Sequence, residues 1–127
     1  MEKDTGVFES KRHLVSGDDF LERLWNLEVN MPPVVRLGDI CTGHGCWPPR
    51  PNIQGCGSVF VNGIPVHCVG HGWAIHCYMC GMRECHPGVL AGGSPNVFAE
   101  GRAVGRIGDP VSCGSACAQG SPDVICN

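Results

Sequence analysis

Apolar residues follow a helical period in SGDDFLERLWNLEV, residues 16–29. Phe20, Leu21, Leu24, Trp25 and Leu27 fall mostly on one side of a 3.6-residue helix. Ser16 with Asp19 forms a capping box, and Asp18 and Asp19 sit where the helix dipole favours negative charge. The spacing predicts a helix over 16–29, either packed on the rest of the chain or docking another subunit.

From Met31 onward the pattern changes. Glycine or proline recurs every few residues, which forbids long helices. SVFVNG (58–63) and NVFAEG (96–101) predict a short strand followed by a turn, and Asn62-Gly63 is a strong hairpin signal. Composition shifts at the same place. Residues 1–30 contain no cysteine or proline and carry seven acidic and four basic side chains. Residues 31–127 hold all ten cysteines, all ten prolines and seventeen of the nineteen glycines, with five acids against five bases. A boundary near Met31-Pro32-Pro33 therefore separates an extension, 1–30, from a domain, 31–127.

That domain repeats itself. GCGSVFVNGIPVHCVGH (55–71) aligns without a gap on GSPNVFAEGRAVGRIGD (93–109). GSPDVICN (120–127) opens the unit again, and PVVRLGD (33–39) is its back half. Such partial copies fit one closed, roughly three-fold object better than an open array, which needs capping segments.

Matching places in the arms carry metal-ligating side chains. His44 follows Asp39 by five residues, His76 follows His71 by five, and Cys113 follows Asp109 by four. His86, from the insert after the second arm, can supply a fourth ligand. Three imidazoles and one thiolate make a closed tetrahedral set of the structural zinc type. Two other readings of IHCYMCGMRECH (75–86) stand beside this one: Cys77, Cys80 and Cys85 as ligands themselves, or Cys77/Cys80 as a redox pair. His67 and His71 are expected at the surface or in turns.

A formal net charge of -3 points away from nucleic acid. No apolar run approaches the ~20 residues of a membrane helix, and the first residues lack a signal-peptide pattern. Synthesis in the cytoplasm follows as the expectation. Ten cysteines in 127 residues is the level at which metals or disulfides replace core size.

The arms resemble the PAAR-repeat family, the spike tips of phage tails and type VI secretion systems. The resemblance is carried by PVVRLGDICTGHG (33–45), GSVFVNGIPVH (57–67), WAIHC (73–77), ECHPG (84–88), LAGGSPNVFAEGRAVGRIGDPVSCG (90–114) and QGSPDVIC (119–126). It implies a mainly β fold: a small cone of three pseudo-three-fold β-hairpin repeats, preceded here by the short helical extension. It also implies one structural zinc per chain near the apex, on His44, His76, His86 and Cys113. The partner implied is a trimeric β-helical spike protein, one tip per trimer. Contact with the target envelope would be transient, without stable membrane insertion.

The middle arm departs from the family pattern. Arg36/Asp39 and Arg106/Asp109 keep R-x-x-D, whereas Cys68/His71 replace them. Cys56, Cys68, Cys117 and Cys126 are additions and are candidate disulfides or subunit crosslinks. The apolar pairs Val59-Phe60, Val97-Phe98 and Val124-Ile125 are candidate spike contacts, one member of each filling the cone and the other facing the partner. No catalytic constellation is present, so the chain is expected to be a structural tip and not an enzyme. A virion tail tip is favoured over a tip secreted on a type VI spike. The alternative is a small cytosolic zinc-binding or thiol-redox protein.

Overall fold

Two tight turns set the first arms. Asn62 and Gly63 have φ of 57° and 77°, and Glu100 and Gly101 have 53° and 79°. Two successive residues at positive φ give the turn whose twist matches paired antiparallel strands. These turns close β1 (Phe60–Val61) on β2 (Ile64–Pro65), and β5 (Phe98–Ala99) on β6 (Arg102–Ala103). Phe60 faces Pro65, and Phe98 faces Ala103. The computed structural model describes residues 31–81 and 84–127. The helix expected over 16–29 lies outside them.

The third hairpin is assembled from opposite ends of the domain. Pro33 bridges Ile125 as Pro65 bridges Phe60 and Ala103 bridges Phe98. The two partial repeats therefore complete a single arm. The three arms donate the same bond: Val66 N–H to Val59, Val104 N–H to Val97 and Val34 N–H to Val124, each at 3.0 Å.

A ring of backbone hydrogen bonds closes the arms on one another. Val35 donates to Gly105, Gly105 to His67 and His67 back to Val35, at 2.9, 2.9 and 3.0 Å. These three residues occupy the same repeat position. The described residues thus form a closed, roughly three-fold, mainly β object, with no helix among them.

Packing divides into two clusters. The hairpin end buries Val59, Val97 and Val124, then Val34, Val66 and Val104, in matching positions. Each such valine contributes on the order of 1.5–3 kcal/mol relative to exposure. Phe60 and Ile125 are half-buried, and Phe98 is 58% exposed, so the second member of each apolar pair turns outward. The other cluster packs Val35, Cys41, Trp73, Leu90, Val111 and Cys117, with Val69 and Cys113 against it.

Each arm turns sharply after its hairpin. Arg36 and Arg106 clamp Asp39 and Asp109 with paired bonds, at 3.0 and 3.1 Å in one and 3.0 and 2.9 Å in the other. The same carboxylates accept the Arg36 and Arg106 backbone N–H groups at 2.8 and 2.7 Å. In the middle arm His71 Nδ1 takes that place and accepts the Cys68 N–H at 3.0 Å. His71 therefore closes a turn as expected, its N–H donating to the Cys68 carbonyl at 3.0 Å, but it is buried; His67, whose residue closes the central ring, is buried and not on the surface. His67 Nδ1–H donates to the Gln54 carbonyl at 2.8 Å.

The expected crosslinks are also corrected. Cys56, Cys68, Cys117 and Cys126 are buried and none is disulfide-bonded. Cys126 fills the core position that Val61 and Ala99 hold in the other arms. Cys56 and Cys68 approach to 3.5 Å between sulfurs, inside the hairpin cluster. Buried sulfurs cannot reach another subunit. The disulfides are instead Cys46–Cys80 and Cys77–Cys85.

Candidate metal centre

The insert after the second arm is the longest hairpin, β3 (Gly72–Cys77) paired antiparallel with β4 (Cys85–Val89). Strand residues alternate faces, so Trp73 and His76 would normally point to opposite sides. The register shifts between them. That irregularity turns both inward, where they are buried, and leaves Ile75 63% exposed. His76 then stands directly across from His86.

His44 comes from the first arm. His44 and Trp47 exchange backbone bonds of 2.9 and 2.8 Å around a two-residue turn. Gly43 permits this approach: its φ is 73°, and a Cβ there would lie 2.5 Å from the Trp47 carbonyl oxygen. The Trp47 ring then stacks on His86 with centroids 3.9 Å apart. Cys113 comes from the third arm, in a turn closed by Gly114 N–H to Val111 at 2.9 Å and Val111 N–H to Ser115 at 2.8 Å.

The four residues meet. Their donor atoms all lie within 4.8 Å of one another. His76 Nε2 is 2.8 Å from His86 Nε2, His44 Nε2 is 3.3 Å from His86 Nε2, and Cys113 Sγ is 3.9 Å from His76 Nε2. Zinc–nitrogen bonds of about 2.05 Å and zinc–sulfur bonds of about 2.3 Å give tetrahedral edges of roughly 3.3 and 3.6 Å. These three separations match the edges to within about half an ångström, so the donor set suits a tetrahedral cation.

Electrostatics prepare the nitrogens. Burial lowers the pKa of His44, and the neighbouring His86 and Arg50 charges lower it further. Burial also lowers His76, against a raising bond to Pro48. Neutral imidazoles with free lone pairs are what a metal needs. His76 Nδ1–H donates to the Pro48 carbonyl at 2.8 Å, which fixes the tautomer and leaves Nε2 as the ligand.

One supporting residue had no signal in the sequence. Arg50, within PPRPN, is buried. Its Nε donates to the Ala74 carbonyl at 2.6 Å, Nη1 to Cys41 Sγ at 3.1 Å and Nη2 to Cys113 Sγ at 3.5 Å. It also lies over the Trp73 ring. Burial raises the Cys41 thiol, but hydrogen bonds from Arg50 and Ser115 outweigh it, and the net shift is downward. The guanidinium is thus held by one carbonyl and two sulfurs.

Cys77, Cys80 and Cys85 are engaged in disulfides and are not ligands, and Cys77 does not pair with Cys80. No helix among the described residues is long and apolar enough to cross a membrane. No curated protein sequence matches the chain. Residues 42–119 match the PAAR motif, a span that contains all four clustered donors. With more than half of its length under that match, and with three arms converging on a His/His/His/Cys cluster, the chain belongs to the PAAR family.

Proposed function

We propose that this protein is a structural spike tip, with zinc held by His44, His76, His86 and Cys113, one ion per chain. The PAAR family caps the spikes of phage tails and type VI secretion machines. The observation that carries the reading is convergence: donors from three arms meet at one point of a closed three-fold body. Borderline imidazole ligands with one thiolate suit zinc among divalent cations. Four protein ligands leave no position for a water nucleophile, which supports a structural metal and a non-catalytic role. Bound there, the ion would tie the arms where few apolar side chains meet.

The base of the proposal is the hairpin end. Phe60, Phe98 and Ile125 sit at matching positions of three arms and face outward. A trimeric β-helical spike offers three equivalent surfaces to such a face, at one tip per trimer. The expected result is one zinc per chain by elemental analysis, and binding of the purified chain to a trimeric β-helical spike end at one to three. Cys113→Ser should lose most of the zinc, because a hydroxyl is a poor zinc ligand. Full zinc retention in that variant would refute the ligand set. Failure to bind any spike trimer would refute the tip. The narrower assignment to a phage tail is decided by which spike, phage or type VI, the chain caps.

A further inference from the structure

Two covalent bonds sit beside the metal ligands, outside the donor cluster. Cys77 and Cys85 are the cross-strand pair next to His76 and His86. They form a disulfide, with Cα atoms 4.0 Å apart. Neighbours on a strand face opposite sides, so the imidazoles turn in and the sulfurs turn out. Cys46 lies two residues after His44, in the same tight turn. It is bonded to Cys80, Cα to Cα 5.7 Å, just beyond the end of β3. Met79 N–H also donates to the Cys46 carbonyl at 3.0 Å.

Three of the four donors therefore lie within two residues of a disulfide sulfur. One bond spaces the two strands that carry His76 and His86. The other ties the His44 turn to the continuation of the His76 strand. The fourth donor, Cys113, has the Arg50 guanidinium at 3.5 Å instead. These four disulfide cysteines are also accessible. Cys80 and Cys85 are exposed, and Cys46 and Cys77 are half-buried. Cys56, Cys68 and Cys117 are buried, and burial raises each of their pKa values, which removes the thiolate that exchange requires. A reductant in solution can thus reach both disulfides, each of which has one exposed cysteine.

We propose that Cys46–Cys80 and Cys77–Cys85 are positioning elements of the metal centre. They hold the backbones of His44, His76 and His86 in ligating geometry with or without metal, and so slow metal loss. The inference rests on the metal reading of those residues. Cleavage by a phosphine reductant breaks each S–S bond. Phosphorus supplies two electrons and becomes the phosphine oxide; water supplies the oxygen and the two protons of the new thiols. No ligand atom changes in this step. Only the spacing of the ligand backbones is released.

The test uses the full chain loaded with one equivalent of zinc. Transfer of zinc to a chromophoric chelator is timed before and after treatment with tris(2-carboxyethyl)phosphine. Support around metal ligands is typically worth 10–100-fold in affinity, so release should quicken by about 10-fold or more. The variant with Cys46, Cys77, Cys80 and Cys85 all changed to serine should release quickly with or without the phosphine. Hydrogen exchange should show the Val66 and Val104 amides of the hairpin end still protected after reduction. Equal release before and after reduction overturns the proposal. Complete loss of protection at the hairpin end overturns it, since metal release would then report unfolding of the whole body and not the freed ligand backbones. Uptake of a second zinc by the reduced chain overturns it as well, by making these sulfurs ligands. A His44→Ala variant separates the two readings: undiminished zinc binding there refutes the ligand set itself, whatever the disulfides do.

Discussion

Acid should weaken this fold through His67, a residue outside the donor cluster. His67 is buried on the central ring, and its Nδ1–H is committed to the Gln54 carbonyl. Its Nε2 has no hydrogen-bond partner, so a proton added there would be stranded in the core. Burial lowers its pKa to about 4, from an ordinary value of 6.5, with the His71 charge adding to the lowering. A depressed histidine contributes fully above the unfolded pKa. That contribution is lost as pH falls from 6.5 towards 4, because the unfolded chain takes up the proton first. A pKa of about 4 in place of 6.5 corresponds to about 3 kcal/mol, of which about 2 is lost by pH 5 and nearly all by pH 3. The assay is urea denaturation of metal-free protein at pH 7, 5 and 4, comparing wild type with His67→Val. Valine occupies the equivalent ring position at Val35. The variant starts less stable at pH 7 if the cavity costs more than the orphaned nitrogen, but its decline between pH 7 and 4 should be shallower by about 2 kcal/mol or more. Parallel declines in the two proteins would refute the reasoning.

Three further outcomes follow from the packing. Arg50→Met should cost about 2–3 kcal/mol by urea denaturation and quicken zinc loss, because it strips donors from the Ala74 carbonyl and from both sulfurs. Gly43→Ala should lower the thermal midpoint by an amount equivalent to more than about 1 kcal/mol, since the new Cβ meets the Trp47 carbonyl at 2.5 Å from a backbone at φ 73°. The two disulfides should differ: opening Cys46–Cys80, which spans 34 residues, costs about 4 kcal/mol of loop entropy, against about 2.5 kcal/mol for the span of 8 at Cys77–Cys85. Denaturation of the two paired serine variants checks the order.

The repeat, the turns and the candidate donors can be read from local sequence alone. Glycines and Asn62 report positive φ locally, so the hairpins were legible without a fold. His44, His76 and Cys113 were found because each follows the closing residue of its arm by nearly the same count, and equivalent positions converge when arms close into a ring. Which side chains meet depends on how the arms close. Joining Pro33 to Ile125 made one arm from two fragments. The shift between Trp73 and His76 turned a strand residue inward against simple alternation. Sulfur pairing obeyed proximity and not repeat position, so the additional cysteines became core filler while Cys46, Cys77, Cys80 and Cys85 bonded beside the candidate donors. Arg50 carries no signal in a linear chain, and His67 and His71 read there as surface or turn residues, because polarity is local information. Their burial depends on sulfurs, carbonyls and amides supplied from other segments, and those partners exist only once the arms have closed.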